Sequence, residues 1–423
     1  MKKQKTKKTK NILLISPLYN PEKSRINDLI NYLVKKNNKV TVLCPIPNFP
    51  KGKYYKNYGI FKKRYEKNDN LTIMRVLVYP RKNGSKINLF INYLSFIIFS
   101  IIPAIALSFQ KFDLVFVNQL SPITIAIPGI IVKKIKRIPM IMWVQDLWPE
   151  SIKEGGNLKS NFLPNLFLPI VKMIYKNCDQ ILVTSPGFNK SINQKIKSKE
   201  ITYVPQWGEE IFTKEDNYDF TYEPMEKIKD FKILFAGAIG VAQDIDCVIS
   251  AINEIKDYKI HLVILGDGRA KKNLLKKIKD MNLESKVSLF GYFPLEAMPY
   301  FFKKADALLI SLKKSDIFSK TIPEKTQAYM PSGKPILTIA DGEISRIINE
   351  AQCGLTANSG DYKTLSKNII NLSKQSKFEL KLMSENGKKY YYKNFSREKI
   401  LNDFDSIIDN IVNRKKCIYI IVN

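Results

Sequence analysis

Short apolar runs that stop at small or charged residues recur along this chain, and partway through the pattern starts again. The runs lie at 11–16, 40–44, 71–79, 113–118, 138–144, 180–185 and 201–205. They restart at 232–236, 261–265, 287–290, 307–311 and 335–339. Runs this short, bounded by turn residues, read as strands buried on both faces. Between them lie helical patterns such as Ile26, Leu29, Ile30 and Leu33. Strands that alternate with helices build a parallel sheet, because a parallel return needs a crossover. Two such series predict an α/β protein of two Rossmann-like, doubly wound parallel-sheet domains. The sequence carries no short-period repeat.

The 423 residues supply enough material for two or three cores, and 45% hydrophobic with 26% charged residues describes a globular chain. A formal net charge of +30 favours anionic partners. Only nine of the 69 cationic residues are arginine, the better bidentate reader of bases and phosphates. Abundant Asn and Ile accompany the lysines, as a biased genome composition produces. No nucleic-acid module is visible, so nucleic acid is not expected as a partner and an anionic membrane surface is. Five widely spaced cysteines without a C-x-x-C pair point to a reducing compartment, with no zinc site or disulfide frame. The single histidine, His261, stands at a strand start and reads as structural.

Residues 1–10 form a lysine-rich tail suited to acidic lipid. The apolar run behind it is too short for a signal sequence and ends at Ser16-Pro17, so secretion is not expected. The first turn lacks G-x-G-x-x-G, which argues against a dinucleotide there. The Pro-, Asn- and Tyr-rich loop at 45–58 is long enough to be functional or mobile. No charge occurs between Lys86 and Lys111, a stretch long enough to cross a bilayer. Asn88, Asn92, Ser95, Ser100, Pro103 and Ser108 interrupt it, and a true span would separate the first strands from their own sheet. An interface-lying helix, a buried or groove-lining helix and a span all stay open.

Two constellations carry chemistry. The strand at 138–144 runs into Gln145-Asp146-Leu147-Trp148-Pro149-Glu150-Ser151, and ligands in open α/β sheets sit beyond the carboxyl ends of strands. The alternative is a strand exit where Pro149 starts a helix served by Glu150 and Ser151. The second series has four strand ends bearing small or charged residues: Gly237 to Gly240, Gly266 to Gly268, Lys320 to Gln327, and Asp341 to Glu343. Each glycine turn alone is an ordinary βα loop. Together they suit a nucleotide-type ligand, because glycine lets a phosphate approach backbone N–H groups. Ile322-Pro323-Glu324-Lys325-Thr326-Gln327 reads as a helix start with proline just inside, whose free N–H groups would hold a diphosphate. Glu343 reads as a partner for ligand hydroxyls or as a helix N-terminal cap.

The second half resembles the donor domain of retaining glycosyltransferases of family 4, which have the GT-B fold. The resemblance rests on Phe235-Ala236-Gly237-Ala238-Ile239-Gly240-Val241-Ala242-Gln243, Leu265-Gly266-Asp267-Gly268, Phe290-Gly291-Tyr292, Ile322-Pro323-Glu324-Lys325 and Ser332-Gly333-Lys334-Pro335. The first half resembles one bacterial branch of that family, similar to the N-acetylfucosaminyl transferases of capsule and O-antigen assembly. Its matches include Asn20-Pro21-Glu22, Arg25, Pro47-Asn48-Phe49-Pro50-Lys51-Gly52, Asn92-Tyr93-Leu94-Ser95-Phe96, Gln145 to Ser151 and Ser185-Pro186-Gly187-Phe188. The resemblance implies two domains facing a cleft and transfer of an amino sugar from a UDP-sugar to a polyprenyl-phosphate-linked acceptor. It implies no metal and no cofactor, with the enzyme cytoplasmic and peripheral on the inner face of the plasma membrane. Asp146 and Lys325 are the expected catalytic residues. Gly237, Gly240, Gln243, Asp267, Gly268, Tyr292, Pro323, Glu324, Gln327 and Glu343 would bind the donor. Glu22, Arg25, Gln145 and Trp148 would bind the acceptor.

The chain departs from the family at telling places. Lys320 and Ala328 stand where many members carry a glutamate pair, and Val241 replaces a frequent basic residue, so Lys320, Lys325 or Arg269 would meet the diphosphate. Gln145 precedes Asp146 where members often have histidine. The expected organisation is a basic tail at 1–10, an acceptor domain at 11–207, a linker at 208–230, a donor domain at 231–395, and a helix with tail at 396–423. Two rivals remain: a UDP-sugar 2-epimerase-like enzyme, which the lone His261 disfavours, and an inactive membrane-associated GT-B subunit.

Overall fold

A computed structural model describes residues 9–155, 162–197, 199–214 and 220–422. Most of the basic tail and residues 215–219 of the expected linker lie outside the described residues, as do the side chains of the apolar tail at 417–423. The chain divides into two compact units. Unit 1 comprises residues 1–184, 188–204 and 401–423, and unit 2 comprises 185–187 and 205–400.

Unit 1 holds β1 (Asn11–Ile15), α1 (Arg25–Lys35), β2 (Lys39–Pro45), β3 (Tyr65–Asn68), β4 (Leu71–Val76), α2 (Lys86–Leu107), β5 (Leu114–Gln119) and α3 (Ile127–Lys136). It continues through β6 (Met140–Val144), α4 (Glu150–Gly155), α5 (Phe162–Asn177), β7 (Gln180–Val183), α6 (Phe188–Lys195) and β8 (Ile201–Tyr203). Its eight strands lie in the order β3-β4-β2-β1-β5-β6-β7-β8. All pairs are parallel except β3 with β4. The interior of β1, β5 and β6 is apolar without alternation because helices cover both faces. β3 reads Tyr-Glu-Lys-Asn, a polar edge strand that caps the sheet and leaves no apolar trace in the sequence.

Unit 2 holds α7 (Glu223–Lys227), β9 (Phe231–Ala236), α8 (Ile245–Glu254), β10 (Ile260–Leu265), α9 (Lys271–Asp280), β11 (Val287–Gly291), α10 (Met298–Lys304) and β12 (Ala307–Ser311). Then follow α11 (Asp316–Ser319), α12 (Lys325–Tyr329), β13 (Ile336–Ile339), α13 (Glu343–Ala351), β14 (Gly354–Ala357), α14 (Tyr362–Lys374) and α15 (Lys377–Asn394). The six strands are parallel, in the order β11-β10-β9-β12-β13-β14. His261 lies within β10, where its Nε2 meets the Ser288 hydroxyl at 2.8 Å and burial lowers its pKa, a structural role.

The last helix, α16 (Arg397–Val422), belongs to unit 1 from residue 401 onward. The Phe404 ring meets Trp143 edge-on at 5.0 Å and Phe116 at 5.8 Å, so this helix covers the middle of the unit 1 sheet. Lys10, counted with the basic tail from sequence, is instead buried and paired with Asp409 of α16. An ammonium that finds a carboxylate can be enclosed.

Candidate functional site

Each sheet reverses its strand order once, and such reversals open crevices beyond the strand ends. In unit 2 the reversal lies at β9, which pairs with β10 on one side and β12 on the other. Gly237 follows β9 directly, with a φ of +141° that is open to glycine. A Cβ at this position would stand 2.7 Å from Cε of Lys325. The Lys325 ammonium in turn lies 3.5 Å from the centre of the Phe235 ring. Among the described residues no carboxylate neutralises it, and burial alone pulls its pKa down to about 7. A cation enclosed without a counter-charge is unfavourable unless an anion arrives.

The other donor-side candidates fall into distinct settings. Gly268 could not carry a Cβ, which would fall 2.2 Å from the Ile239 carbonyl oxygen. Asp267 accepts from the Gly268 N–H at 2.7 Å and from Lys271 at 3.2 Å. Gly240 leads into the short turn that ends at Gln243, while Tyr292 is exposed. Lys320 is neutralised by Asp316 at 2.6 Å, Arg269 is exposed, and Val241 projects an apolar side chain. Of these cations, Lys325 stands directly against the glycine that follows β9.

Three sequence expectations need correction here. Pro323 is not inside a helix: α12 begins at Lys325, spans five residues, and has Glu324 as its cap residue. The Pro323 carbonyl accepts from the Thr326 N–H at 2.9 Å, and the Gln327 amide reaches the Pro323 and Glu324 carbonyls at 3.1 Å. Gln327 is thus buried and closes this turn rather than facing a ligand. So short a helix sums few peptide dipoles. Nor does Glu343 cap α13: Gly342 holds that place with φ +76°, and the Glu343 carboxylate pairs with Arg346 at 2.8 Å.

In unit 1 the reversal lies at β1, which pairs with β2 and β5. A narrow pocket, partly open to solvent, sits beyond these strand ends, lined by Glu22, Asn48, Phe49, Arg81, Asn92 and Tyr93 among others. Glu22 is 2% exposed. Its Oε1 accepts from the N–H groups of Asn48 (2.8 Å) and Phe49 (2.7 Å), while Oε2 is buried without a partner. Burial raises its pKa against the pull of those N–H groups and of Arg81. The Arg81 guanidinium lies over the rings of Phe49 (5.2 Å) and Tyr93 (5.9 Å), with Nε buried and unpartnered. Arg25 opens α1 and does not line this pocket.

Asp146 follows β6 and accepts from the Ser121 hydroxyl, which itself accepts from the Trp148 indole N–H at 2.9 Å. Desolvation raises the Asp146 pKa, opposed by hydrogen bonds from Ser121 and the Leu147 N–H. Burial also raises Tyr93, which feels both Arg81 and Asp146. Gln145 donates to Asn118, and Asn118 to the Ser16 hydroxyl at 3.0 Å, linking the ends of β6, β5 and β1. Trp148 is buried against Phe167 with its N–H committed, so it walls the site and is not an exposed platform for an acceptor. Asn48, Arg81 and Tyr93 were not singled out from sequence, although the stretches 47–52 and 92–96 carried the family resemblance.

Comparison with known proteins agrees with this layout. The model described as Glycosyltransferase Family 4 matches residues 24–207, and that described as Glycosyl transferases group 1 matches 223–390. The probable glycosyltransferase WbjE of Pseudomonas aeruginosa is 26% identical over 54% of this chain, a match spanning 58% of that protein's length. WcaI of Escherichia coli K12, assigned to colanic acid biosynthesis as a glycosyl transferase, is 23% identical over 77% of this chain and 83% of its own. A Campylobacter jejuni N-acetylgalactosaminyltransferase, named for a diphospho-undecaprenol-linked substrate, is 32% identical over 32% of this chain and 36% of its own. HepE of Anabaena, solved with UDP, superposes with a TM-score of 0.68 at 12% identity, covering 95% of this chain and 100% of that one. Such a likeness speaks for the fold alone, and two parallel-sheet units are those of the GT-B glycosyltransferases. With one family model on each unit, together reaching from residue 24 to residue 390, the chain belongs to the family 4 glycosyltransferases.

Proposed function

We propose that this transferase is a retaining enzyme that moves an amino sugar, N-acetylfucosamine-like, from a UDP-sugar to a polyprenyl-phosphate-linked saccharide in capsule or O-antigen synthesis. The observation that carries the donor half is the half-buried Lys325 beside Gly237, against which no carboxylate stands among the described residues. A nucleoside diphosphate supplies the missing counter-charge, and HepE is a fold neighbour solved with UDP. The acceptor half is supported by the Glu22–Arg81 pocket and by the diphospho-undecaprenol substrate in the Campylobacter protein's name.

In this reading the acceptor hydroxyl oxygen bonds to the anomeric carbon as the bond from that carbon to the β-phosphate oxygen breaks. Negative charge grows on the departing UDP, where Lys325 meets it, and stabilising that charge is the main contribution of the protein. The hydroxyl proton passes to the departing phosphate, and Asp146 orients the hydroxyl within its network with Ser121. Glu22 and Arg81 grip the acceptor sugar, the carboxyl accepting from a hydroxyl or amide N–H through its unpartnered Oε2.

The test is a donor screen against undecaprenyl-linked sugar acceptors. Wild type should transfer one amino sugar, and Lys325→Met should lose turnover by about two orders of magnitude or more with the fold intact. Conversion of the UDP-sugar without acceptor would mark an epimerase. UDP binding with no transfer to any acceptor would mark a non-catalytic subunit, the reading favoured by Lys320 and Ala328 in the glutamate positions.

A further inference from the structure

Helix α2 turns its polar residues toward the domain, interleaved with Phe96, Ala104 and Leu107, and keeps large apolar side chains outward. Asn92, Ser95, Ser100 and Ser108 are buried, whereas Ile87, Phe90, Leu94, Ile98, Ile102 and Phe109 are exposed, Ile102 to 78% and Phe109 to 85%. The outward residues recur at helical spacing, so they form one continuous face. The polar side is tied to the domain: the Tyr79 N–H donates to the Ser95 hydroxyl (2.8 Å), and the Asn92 amide donates to the Tyr79 carbonyl (2.5 Å). An apolar stripe this long is far more than scattered exposure on a monomer.

We propose that this face seats unit 1 on an anionic lipid bilayer, with α2 lying in the plane of the interface. Charge selects the occupant. The exposed Lys82 and Lys86 precede the face, Lys111 follows it, and Lys136 donates to the Ser108 carbonyl (3.2 Å) where the helix ends. Lysines at both ends of an uncharged stripe can reach lipid phosphates while the stripe enters the acyl boundary. The chain's net charge of +30 adds long-range attraction to an acidic leaflet. Spanning is excluded by the same contacts: an upright α2 would tear Asn92 and Ser95 from Tyr79 and put uncovered polar groups into hydrocarbon.

Seating on α2 also bears on substrate delivery, a step that rests on the lipid-acceptor reading above. Asn92, Tyr93 and Phe96 of α2 line the Glu22–Arg81 pocket. A ligand there lies about one helix diameter, roughly 10 Å, from the bilayer-facing side. The head of a membrane-anchored acceptor can fill the pocket while its chain stays in the lipid.

The full-length protein is floated with phosphatidylcholine vesicles with and without phosphatidylglycerol. Wild type should float with the anionic vesicles, and Phe90→Ser/Ile98→Ser/Ile102→Ser should reduce this about tenfold or more with an unchanged circular dichroism spectrum. Separately, the indole introduced by Ile102→Trp should be quenched by brominated anionic lipid, against a background of Trp143, Trp148 and Trp207, all buried. Flotation unchanged in the triple variant, or an introduced indole that stays unquenched in floating protein, overturns the proposal. So does a wild-type dimer that the triple variant loses while neither floats. Transfer to a detergent-dispersed acceptor, unchanged in the triple variant, keeps the failure of membrane seating distinct from failure of the transferase reading.

Discussion

The ammonium of Lys325 stands 3.5 Å from the centre of the Phe235 ring, and a Cβ at Gly237 would come within 3.0 Å of the same nitrogen. The π face offsets part of the cost of the half-buried charge, but it does not replace a counter-ion. The lysine is held ready for an anion that none of the described residues supplies.

Stability should record that cost. With a folded-state pKa of about 7 against the ordinary 10.5, both states carry the proton below pH 7 and the folded state bears the full penalty. As pH rises from 7 toward 10.5 only the unfolded chain keeps the proton, so the penalty is relieved. Lys325→Met should therefore raise Tm at about pH 6, by roughly 2–4 °C per kcal/mol recovered, with a gain that shrinks by about pH 9. Thermal scans across that range check it.

Two glycines should behave differently. In Gly237→Ala the new methyl meets the flexible Lys325 end at 2.7 Å, whereas in Gly268→Ala it meets the Ile239 carbonyl oxygen at 2.2 Å. The first, at φ +141°, should displace the lysine and weaken UDP binding about tenfold or more, with a stability loss of about 1–3 kcal/mol. The second forces backbone to move and should lower Tm without abolishing the pH dependence assigned to Lys325. Calorimetric Tm and UDP titrations on both variants separate the two.

Glu22 offers a test in unit 1. Its raised pKa means the folded state favours the protonated form, so that contribution is complete below the ordinary value of 4.5 and is lost as pH rises through the folded pKa. Wild type should thus lose stability relative to Glu22→Gln as pH rises above about 4.5. Glu22→Ala strands the Asn48 and Phe49 N–H groups and should cost about 1–3 kcal/mol for each. Both variants should raise KM for the acceptor more than for the donor.

The Asp146–Ser121–Trp148 network gives a graded series. Trp148→Phe removes one N–H to the Ser121 hydroxyl and should cost about 1 kcal/mol with modest loss of turnover. Asp146→Asn keeps the shape but removes the charge, and turnover should fall about a hundredfold or more while UDP affinity holds. Initial rates and UDP titrations on the same preparations decide it.

Strands buried on both faces were legible because their sequences are unbroken apolar runs, as in β1 and β10. The polar edge strand β3 and the half-covered β14, Gly-Leu-Thr-Ala, carry no such signal. Asp146 and Lys325 stood out because charged groups follow apolar runs or glycine turns. Arg81 and Tyr93 did not, because strand order brings them to Glu22, and strand order is not written in the linear pattern. Pro323 misled because a proline before a helix and one in its first turn look alike in sequence. In α2 Asn92, Ser95 and Ser100, which read as interruptions, lie on the buried side, and only the packing shows which face the domain keeps.

The most direct measurement is a calorimetric titration of wild type and Lys325→Met with UDP near pH 7.5, run in buffers of different ionisation enthalpy. Wild type should bind with uptake of a proton, because the arriving diphosphate raises the pKa of a lysine that is about 7 when empty. Lys325→Met should bind about tenfold more weakly or worse and take up no proton. Equal affinity and equal proton uptake in the two proteins would contradict the donor role of Lys325.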